Sequence, residues 1–465
     1  MSRCLTEKES LLNCRDKINI SILTVFDQLY DPFVHTSLVG RAQEKEIVHI
    51  DVQSFFAYVQ PKERIDAPTF GPGAGMLIRP DVVQKAIEDK QERYGKAFKI
   101  FFSPRGEKID QRVFETIAAR MQETGHLMII PARYEGMDDR VEREYADMVL
   151  SAGDFVIMGG DVPAMLLIEG VLRLIPQVVG KQESIARESF NGPFVDFPSY
   201  TEPLEWKGQR VPDVLRSGNH AAIEKWRSEH AVQKTVREHF LWLRSQNLTD
   251  HDKKQAEARI PSHYVALMHS GVLISEERKP GFTSVTSIDI HDIARSSKTY
   301  GIKEFFIVTP LLDQQRIVQK MLDFWKKGIG FEYNRCRYDA IQLVQLMSSL
   351  EELIKKIEEK EGKKPLIVTT SAQVGDAQQV VSYYDQKKAW EHDRPVLILF
   401  GTGQGLAPEV IEQSDYLLLP VNGFSDFNHL SVRSAVAIVL DRWLGNNPSS
   451  SPMRHGTSRG DLGVE

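Results

Sequence analysis

Short apolar segments rich in β-forming residues alternate with segments of helical periodicity, and this alternation restricts the possible folds more than any other feature of the chain. In the first half, the apolar segments are Ile18–Val25, Ile47–Ile50, Phe98–Phe102, Leu127–Ile130 and Phe155–Ile157. Helical patterns such as PDVVQKAIEDKQERY and QRVFETIAARMQET lie between them. Strands that alternate with helices predict a parallel sheet flanked by helices, which is the α/β class.

The alternation stops near Gly180 and resumes near His263, which predicts two domains of similar size. In the second half, the strand patterns are His263–Met268, Phe305–Val308, Leu366–Thr370, Val396–Phe400 and Tyr416–Pro420. A chain of 465 residues is also too long for a single core. We therefore predict one α/β domain at 18–180 and a second at 263–445.

The region between the two domains contains three segments of different character. Residues 181–203 are rich in turn formers and aromatic residues, which predicts a lid and linker. Residues 204–246 predict a small helical module, with a helix over Asn219–Arg244 that Asn219 could cap. Residues 247–262 are polar and highly charged, which predicts an interdomain linker.

Composition and the chain ends exclude several classes of protein. Residues 1–17 form a polar tail without the apolar core of a signal peptide, and the Gly-, Ser- and Pro-rich residues 446–465 predict disorder. No apolar run is long enough to span a bilayer, so we expect no membrane association. The three cysteines form no CxxC pair, which predicts neither a zinc site nor disulfides and favours the reducing cytoplasm.

Charge gives no general attraction to nucleic acid, because the net charge of the chain is −6. An RNA partner would need a local basic patch. The candidate is 206–259, which holds 11 Lys or Arg against 7 Asp or Glu, although a solvated helical face would have the same composition.

Three glycine-rich stretches are candidates for binding a nucleotide-like ligand, because glycine lets the backbone approach a ligand closely. They are FGPGAGM at Phe70–Met76, GDFVIMGGDVPAM at Gly153–Met165 and FGTGQGL at Phe400–Leu406. Each alone is equally compatible with a tight turn between a strand and a helix. The last stretch lacks the third glycine of the dinucleotide fingerprint and its acidic partner, so a nucleotide-dependent oxidoreductase is disfavoured.

Five motifs in one order resemble the bacterial tRNA (guanine-37-N1) methyltransferases, the TrmD family of the SPOUT superfamily. They are SPRGEKIDQ at Ser103, ARYEGMDDRV at Ala132, GDFVIMGGDVPAM at Gly153, RLIPQVVGKQES at Arg173 and VLRSGNHAAIEKWR at Val214. The resemblance covers Ile18–Arg244 and implies an α/β fold with a deep trefoil knot and a homodimer. It also implies tRNA as substrate, S-adenosylmethionine as methyl donor and magnesium as an assisting cation, although no metal motif occurs in the sequence.

The resemblance assigns roles to individual residues. Arg173 matches an arginine near the target guanine, and Glu188 aligns with the catalytic aspartate of a lid, here SIARESF. Guanine N1 carries a proton at neutral pH, so a carboxylate must remove it during methyl transfer, and an arginine at O6 can stabilise the negative charge that develops. The residues implied to hold the methyl donor are Ser103, Pro104, Tyr134, Glu135, Gly136, Ile157, Gly159, Gly160 and Pro163. Those implied to contact tRNA from the helical module are Asn219 and His220.

The second domain resembles the TrmH-like SPOUT methyltransferases over Tyr264–Gly445. The motifs are DIHDIARSSKTYGIKEFFIVTP, LILFGTGQGLAPEVIEQSDYLLLPV and DFNHLSVRSAVAI. The resemblance implies that Arg295 contacts RNA, and it leaves His291 and His429 as weaker candidates for the site. The cofactor contacts that it implies are Phe400, Gly401, Gly403 and Leu419. The motifs do not imply a target for this domain.

Several substitutions depart from the TrmD pattern and leave an alternative function open. They are Ala67, Pro72, Glu188, Glu202 and the Pro131-Ala132 pair. The alternative is a tRNA-binding protein with a degenerate first active site, in which the second domain carries out any methylation. The retained ARYEG and GDFVIMGGDVPAM stretches favour the enzyme, because a degenerate site has no need of them.

Overall fold

A computed structural model describes residues 17–71, 75–180, 188–274, 277–327, 334–374 and 379–448. The chain divides into two compact units, Met1–Asn191 and Gly192–Glu465. Each unit is built around its own parallel sheet. Among the described residues, no helix combines the length and the apolar character that crossing a membrane requires.

The first unit contains a five-stranded sheet in the order β2-β1-β6-β5-β7, and all of its strand pairs are parallel. A small antiparallel pair, β3 and β4, lies beside it. The strands are β1 Ile18–Thr24, β2 Val48–Ser54, β3 Asp66–Pro68, β4 Met76–Ile78, β5 Phe98–Lys108, β6 His126–Ile130 and β7 Met148–Ser151. The helices are Asp31–Val34, Ser37–Glu44, Pro80–Tyr94, Gln111–Thr124, Asp139–Tyr145 and Asp161–Leu172.

Both faces of this sheet are covered at its centre, which explains why the central strand β6 carries buried side chains on both faces. On β6, for example, Leu127 and Ile129 belong to one core cluster, whereas Met128 and Ile130 belong to the other. One face packs against the helices Gln111–Thr124 and Asp161–Leu172, and the other packs against Pro80–Tyr94. This alternation is the side-chain geometry of a β-strand.

One predicted strand of the first unit is wrong. The apolar run Phe155–Ile157 lies in a loop, and the fifth strand is Met148–Ser151 instead. Val156 within this run and the adjacent Met158 are 83% and 89% exposed, so the apolar character of this segment does not come from burial in the core of its own unit. The other four strands and the helices Pro80–Tyr94 and Gln111–Thr124 agree with the sequence patterns.

The second unit contains a seven-stranded parallel sheet in the order β14-β13-β10-β17-β15-β18-β16. The strands of the unit are β8 Glu205–Trp206, β9 Gln209–Arg210, β10 His263–Met268, β11 Ser270–Ile274, β12 Lys279–Phe282, β13 Glu304–Val308, β14 Val344–Met347, β15 Leu366–Thr370, β16 Val380–Val381, β17 Val396–Gly401 and β18 Tyr416–Leu418. The helices are His220–Glu238, Phe240–Arg244, Asp250–Glu257, Ser287–Thr299, Leu312–Lys327, Arg335–Ile341, Leu350–Glu361, Gln386–Trp390, Pro408–Glu412 and Val432–Leu444.

The helical segment that precedes this sheet packs into the core of the second unit. The side-chain oxygen of Asn219 accepts a hydrogen bond from the backbone NH of Ala222, so Asn219 caps the helix as predicted. The predicted helix is interrupted at His239, and the two resulting helices are His220–Glu238 and Phe240–Arg244. Their buried side chains, which join the same core cluster as Trp390, are Val232, Val236, Phe240 and Leu243.

Arg244 fastens this helical segment to the last helix of the chain. Its guanidinium donates hydrogen bonds to the backbone carbonyls of Asp441, Arg442 and Gly445, at the carboxyl end of the helix Val432–Leu444. A cation is favourable there because the last carbonyls of a helix lack partners and carry partial negative charge. The segment predicted as a linker also contains the helix Asp250–Glu257, whose amino end is closed by a capping box between Thr249 and Asp252.

Candidate functional site

A cavity of about 410 Å³ opens in the first unit at the carboxyl ends of three neighbouring strands. The chain segments that line it are the middle of β5 and the loops after β6 and β7, each with the start of the helix that follows it. These strands are adjacent in the order β6-β5-β7, so the loops that follow them meet at one edge of the sheet. Ligands of open α/β sheets generally bind at this edge.

The nine residues that were predicted to hold the methyl donor all line this cavity. They come from three sequence motifs, around Ser103, Tyr134 and Gly159, that are separated by tens of residues in the chain. The fold brings them together without leaving any of the nine outside. The volume is within the range of small-molecule sites, which is roughly 300–1,000 Å³.

The loop after β6 contains two residues in the left-handed backbone conformation. Tyr134 and Gly136 have positive φ angles of 59° and 121°. The loop is fixed to β4, because the NH of Glu135 donates to the carbonyl of Met76 and the NH of Ile78 donates to the carbonyl of Gly136. Tyr134 is 48% exposed, so its ring is available to a ligand.

Gly159 and Gly160 let two loops approach more closely than other residues would allow. A Cβ atom on Gly159 would lie 2.5 Å from Cδ of Arg133, and one on Gly160 would lie 3.0 Å from Cα of Pro131. The NH of Gly160 donates to the carbonyl of Ala132 over 2.8 Å. The loops that follow β6 and β7 are therefore in direct contact at this side of the cavity.

Asp161 holds Arg133 in place beside the cavity, and it was not among the residues predicted from the sequence. This fully buried carboxylate accepts hydrogen bonds from Thr24 (2.6 Å) and Tyr30 (3.0 Å) and pairs with Nε of Arg133 (2.5 Å). Burial and the adjacent carboxylate raise the pKa of Tyr30 well above its usual value, so its hydroxyl stays protonated and keeps donating. The only sequence signal for Asp161 was its position directly after Gly159 and Gly160.

The predicted catalytic residues Glu188 and Arg173 contact each other through an ion pair. Arg173 immediately follows the helix Asp161–Leu172, and Glu188 lies on the segment that the sequence predicts to be a lid. The side chain of Arg173 is 45% exposed and that of Glu188 is 36% exposed, so solvent reaches both. Neither residue is part of the cavity lining, and residues 181–187 of the lid lie outside the described residues.

In the second unit, the predicted cofactor residues lie at the carboxyl ends of β17 and β18. Gly401 and Gly403 both need to be glycine, because a Cβ atom would lie 2.5 Å from the nitrogen of Leu406 and 2.7 Å from the carbonyl oxygen of Leu273. Phe400 is buried in the core, so only its backbone can face a ligand. The carbonyl of Leu419 accepts from the hydroxyl of Tyr383 over 2.8 Å, so that backbone group already has a partner.

The predicted RNA contacts differ in how available they are. Arg295 and His220 are exposed. Asn219 is also exposed, but its side-chain oxygen is occupied by the helix cap. His291 packs edge-on against Trp325 and its pKa is lowered by burial, which suits a structural role better than a catalytic one. His429 lies on an exposed loop beside Phe427.

Metal binding has no support in the part of the chain that the structure describes. There, no group of three or more His, Cys, Asp or Glu side chains is arranged so that it could hold an ion.

Comparison with known proteins divides the chain into two matched regions. Residues 18–243 match the family described as tRNA (guanine-1)-methyltransferase TrmD, and residues 262–445 match a family described as SAM-dependent RNA methyltransferase. A protein of Nitratidesulfovibrio vulgaris named tRNA (guanine-N(1)-)-methyltransferase is 36% identical over 433 residues, which cover 92% of this chain and 99% of that protein.

Two other relatives with the same name show how the match is distributed. The protein of Oleidesulfovibrio alaskensis is 35% identical over 437 residues and matches along its full length. The protein of Bacillus subtilis is 35% identical over 239 residues, which cover 51% of this chain and 97% of the relative. Relatives therefore exist both with and without a counterpart of the second half.

Proposed function

This chain belongs to the tRNA (guanine-1)-methyltransferase family TrmD, and from that membership we propose how its residues carry out methyl transfer. It is a tRNA guanine-N1 methyltransferase with a second S-adenosylmethionine-dependent RNA methyltransferase domain. We propose that the first site acts on guanosine 37 of tRNA. The observation that carries the assignment of the site is the convergence of nine residues from three motifs on one cavity.

The cavity of the first unit suits S-adenosylmethionine, which supplies the methyl group when it is bound there. Gly159 and Gly160 let the loops after β6 and β7 pack closely at one side of the cavity, and the ring of Tyr134 offers an apolar face. Ser103 and Glu135 add polar groups that can fix the orientation of the ligand. With S-adenosylmethionine bound, these contacts would fix its orientation relative to the nucleophile.

Glu188 and Arg173 are the residues that we assign to the target base. Guanine presents O6 and N1–H side by side on its Watson–Crick edge, and the base must leave its stack to be reached. A guanine inserted between the two side chains would accept a hydrogen bond from Arg173 at O6 and donate N1–H to Glu188. As N1 attacks the methyl carbon, the bond between that carbon and the sulfur of S-adenosylmethionine would break, so that S-adenosylhomocysteine is the leaving group. The N1 proton would pass to the carboxylate of Glu188, and the guanidinium of Arg173 would stabilise the charge that develops on O6.

Methyl transfer from labelled S-adenosylmethionine to unmodified tRNA transcripts tests this assignment. We expect label on N1 of guanosine 37, and a loss of about 10²-fold or more in the Glu188→Gln variant, because general base catalysis contributes at least that much. Glu188→Asp is the matched control, since it keeps the base and should retain most of the activity. Label elsewhere that only Arg295→Ala removes would instead mean that the first site is degenerate and the second domain acts.

We further propose that the first unit forms a homodimer. The exposed apolar side chains on the loop after β7 and the helix that follows it include Val156, Met158, Val162 and Leu166, which are exposed to between 48% and 89%. A helix that is apolar on its outer side as well as its inner side normally has a covered surface. We expect the Val162→Asp/Leu166→Asp variant to shift the mass measured by light scattering from dimer to monomer. A wild-type monomer would contradict the proposal.

The remaining expectations concern the knot and the conditions of the reaction. We propose that the first unit contains the deep trefoil knot of the family, in which the loops after β6 and β7 would take part; these loops are in contact through the hydrogen bond from Gly160 to Ala132. A crystal structure in which the chain does not thread through a loop of its own backbone would refute it.

We propose that the enzyme works in the cytoplasm, which cell fractionation can test. We propose that magnesium assists methyl transfer. The rate of tRNA methylation with added magnesium, compared with the rate in the presence of a chelator, measures this effect.

A further inference from the structure

A basic residue precedes each of four adjacent strands in the sheet of the second unit. Arg259 precedes β10, Lys303 precedes β13, Lys363 and Lys364 precede β15, and Arg394 precedes β17. These strands are neighbours in the order β13-β10-β17-β15 and run parallel, so their amino ends lie along one edge of the sheet. We call this edge the amino edge. It is the opposite end of the strands from the glycine-rich loop at Gly401–Gly405.

A polar cavity of about 230 Å³ opens at the amino edge. Three residues of the edge line it, namely Arg259, Lys363 and Arg394. Arg237 adds a fourth cation from the helix His220–Glu238, which packs into the same core. Glu361 and Asp393 are the two carboxylates in the lining, so cations outnumber anions by four to two.

The carboxylates leave two of the four cations weakly paired. Asp393 lies 2.6 Å from Lys363 but 3.6 Å from Arg237, and Glu361 accepts from the hydroxyl of Tyr264. The nearest carboxylate to Arg259 is Glu229, at 3.9 Å. Within the described residues, neither Arg237 nor Arg259 donates a side-chain hydrogen bond, so their guanidinium groups keep donors for a further acceptor.

We propose that the amino edge, together with Arg237, binds backbone phosphates of the tRNA substrate. This inference rests on the proposed function, which makes tRNA the substrate. It assigns to the second unit a docking role that is separate from any methylation of its own. The site would act on every tRNA alike, because phosphate contacts position an RNA without reading its sequence.

The chemistry of the edge fits a phosphate backbone better than a single small anion. Guanidinium groups bind phosphate oxygens through paired hydrogen bonds, which Arg237 and Arg259 can still form. Four adjacent strands spread their preceding cations over roughly 14 Å, which is wider than one phosphate group. Three of the cations, Lys303, Lys363 and Lys364, are exposed, so an extended backbone can reach them.

The helical segment gives the reason to expect tRNA here. The helix His220–Glu238 belongs to the part of the chain that matches the tRNA methyltransferase family, yet its buried face packs into the second unit. A tRNA held by this helix therefore meets the amino edge through Arg237, which lies in the last turn of the helix.

The test compares tRNA binding by the full-length Arg237→Gln/Arg259→Gln variant and the wild type across a range of salt concentrations. Each lost phosphate contact lowers the slope of log Kd against log salt concentration by about 0.7 to 1. We therefore expect the slope to fall by between one and two, and the Kd at low salt to rise several-fold. Arg316→Gln/Lys355→Gln removes two exposed cations outside the cavity and is the matched control.

The same proteins distinguish failure of this inference from failure of the proposed function. A wild type that methylates guanosine 37, with a double variant whose slope and Kd match those of the wild type, would overturn the inference alone. A wild type that neither binds nor methylates tRNA would overturn both. Under the inference, the double variant raises the KM for tRNA more than it lowers kcat, because it weakens docking and leaves the reacting groups in place.

Discussion

At the scale of single residues, the first site depends on positions where a side chain is missing as much as on those where one is present. Arg133 cannot move away from Gly159, because its guanidinium is held by the buried carboxylate of Asp161. The carboxylate is in turn held by Thr24 and Tyr30. A network of this kind fixes the cavity wall before a ligand arrives, which lowers the entropic cost of binding.

Replacement of Gly159 by alanine should therefore weaken binding of S-adenosylmethionine. The new Cβ atom would lie 2.5 Å from Cδ of Arg133, and relieving such overlap typically costs about 1–3 kcal/mol. We expect the Kd to rise roughly tenfold or more in isothermal titration calorimetry. Gly180→Ala is the control, because no atom of the described residues lies within 4 Å of the Cβ position there. Equal affinities of the two variants for S-adenosylmethionine would show that the cavity wall adjusts to the added methyl group.

At the scale of secondary-structure elements, a buried histidine joins the first strand of the second sheet to two helices. Nδ1 of His263 lies 2.7 Å from the carbonyl oxygen of Pro261, so Nδ1 donates. Nε2 accepts from the indole NH groups of Trp390 and Trp443, at 3.3 and 3.0 Å. Only the neutral imidazole with its proton on Nδ1 can make all three bonds. Burial accordingly lowers the pKa of His263 to about 4.

This arrangement predicts how the stability of the second unit depends on pH. The pKa of His263 is near 6.5 in the unfolded chain and about 4 in the folded one, so the unfolded state binds the proton more tightly. The stabilisation is complete above pH 6.5 and is lost as the pH falls toward 4, by up to about 3 kcal/mol. Burial lowers the pKa of His269 to about 4 as well, so its effect has the same sign.

Urea unfolding followed by tryptophan fluorescence between pH 7 and pH 4 measures this effect. We expect His263→Gln to be less stable at pH 7 and to lose less stability on acidification than the wild type. Replacing the exposed His251 by glutamine provides the matched control. A pH dependence that is as steep in His263→Gln as in the wild type would contradict the assignment.

At the scale of the whole molecule, the boundary between the compact units does not follow the boundary between the matched families. The family match of the first half extends to residue 243, whereas the first compact unit ends at Asn191. The helices His220–Glu238 and Phe240–Arg244 share a core with the second sheet. We therefore propose that the helical module at 204–246 and the second domain fold as one body.

Fragments of the chain can test this proposal. We expect 192–448 to unfold at a higher temperature than 263–448, because the shorter fragment exposes the core side chains that face Val232, Val236, Phe240 and Leu243. Burial of each such side chain contributes about 1.5–3 kcal/mol. The difference in Tm should be roughly 10 °C or more in calorimetry. Equal Tm values would mean that the second domain does not need the helical segment.

Sequence by itself determined the α/β class, most of the strands and both families, because these depend on local periodicity and on motifs that are contiguous in the chain. The helices Pro80–Tyr94 and Gln111–Thr124 were predicted with the bounds that the structure shows. The strand Val344–Met347 was missed, because its partly buried pattern VQLM gives a weak apolar signal. The nine cavity residues were identified because each lies within a short motif.

Tertiary structure alone decided which residues from distant parts of the chain become partners. The periodicity of an apolar run does not say what covers it, so Phe155–Ile157 was assigned to a strand although it is exposed in a loop. The anchoring role of Asp161 depends on Thr24, Tyr30 and Arg133, which are between 28 and 137 positions away. Such contacts follow from the order of strands in the sheet, which local patterns do not specify.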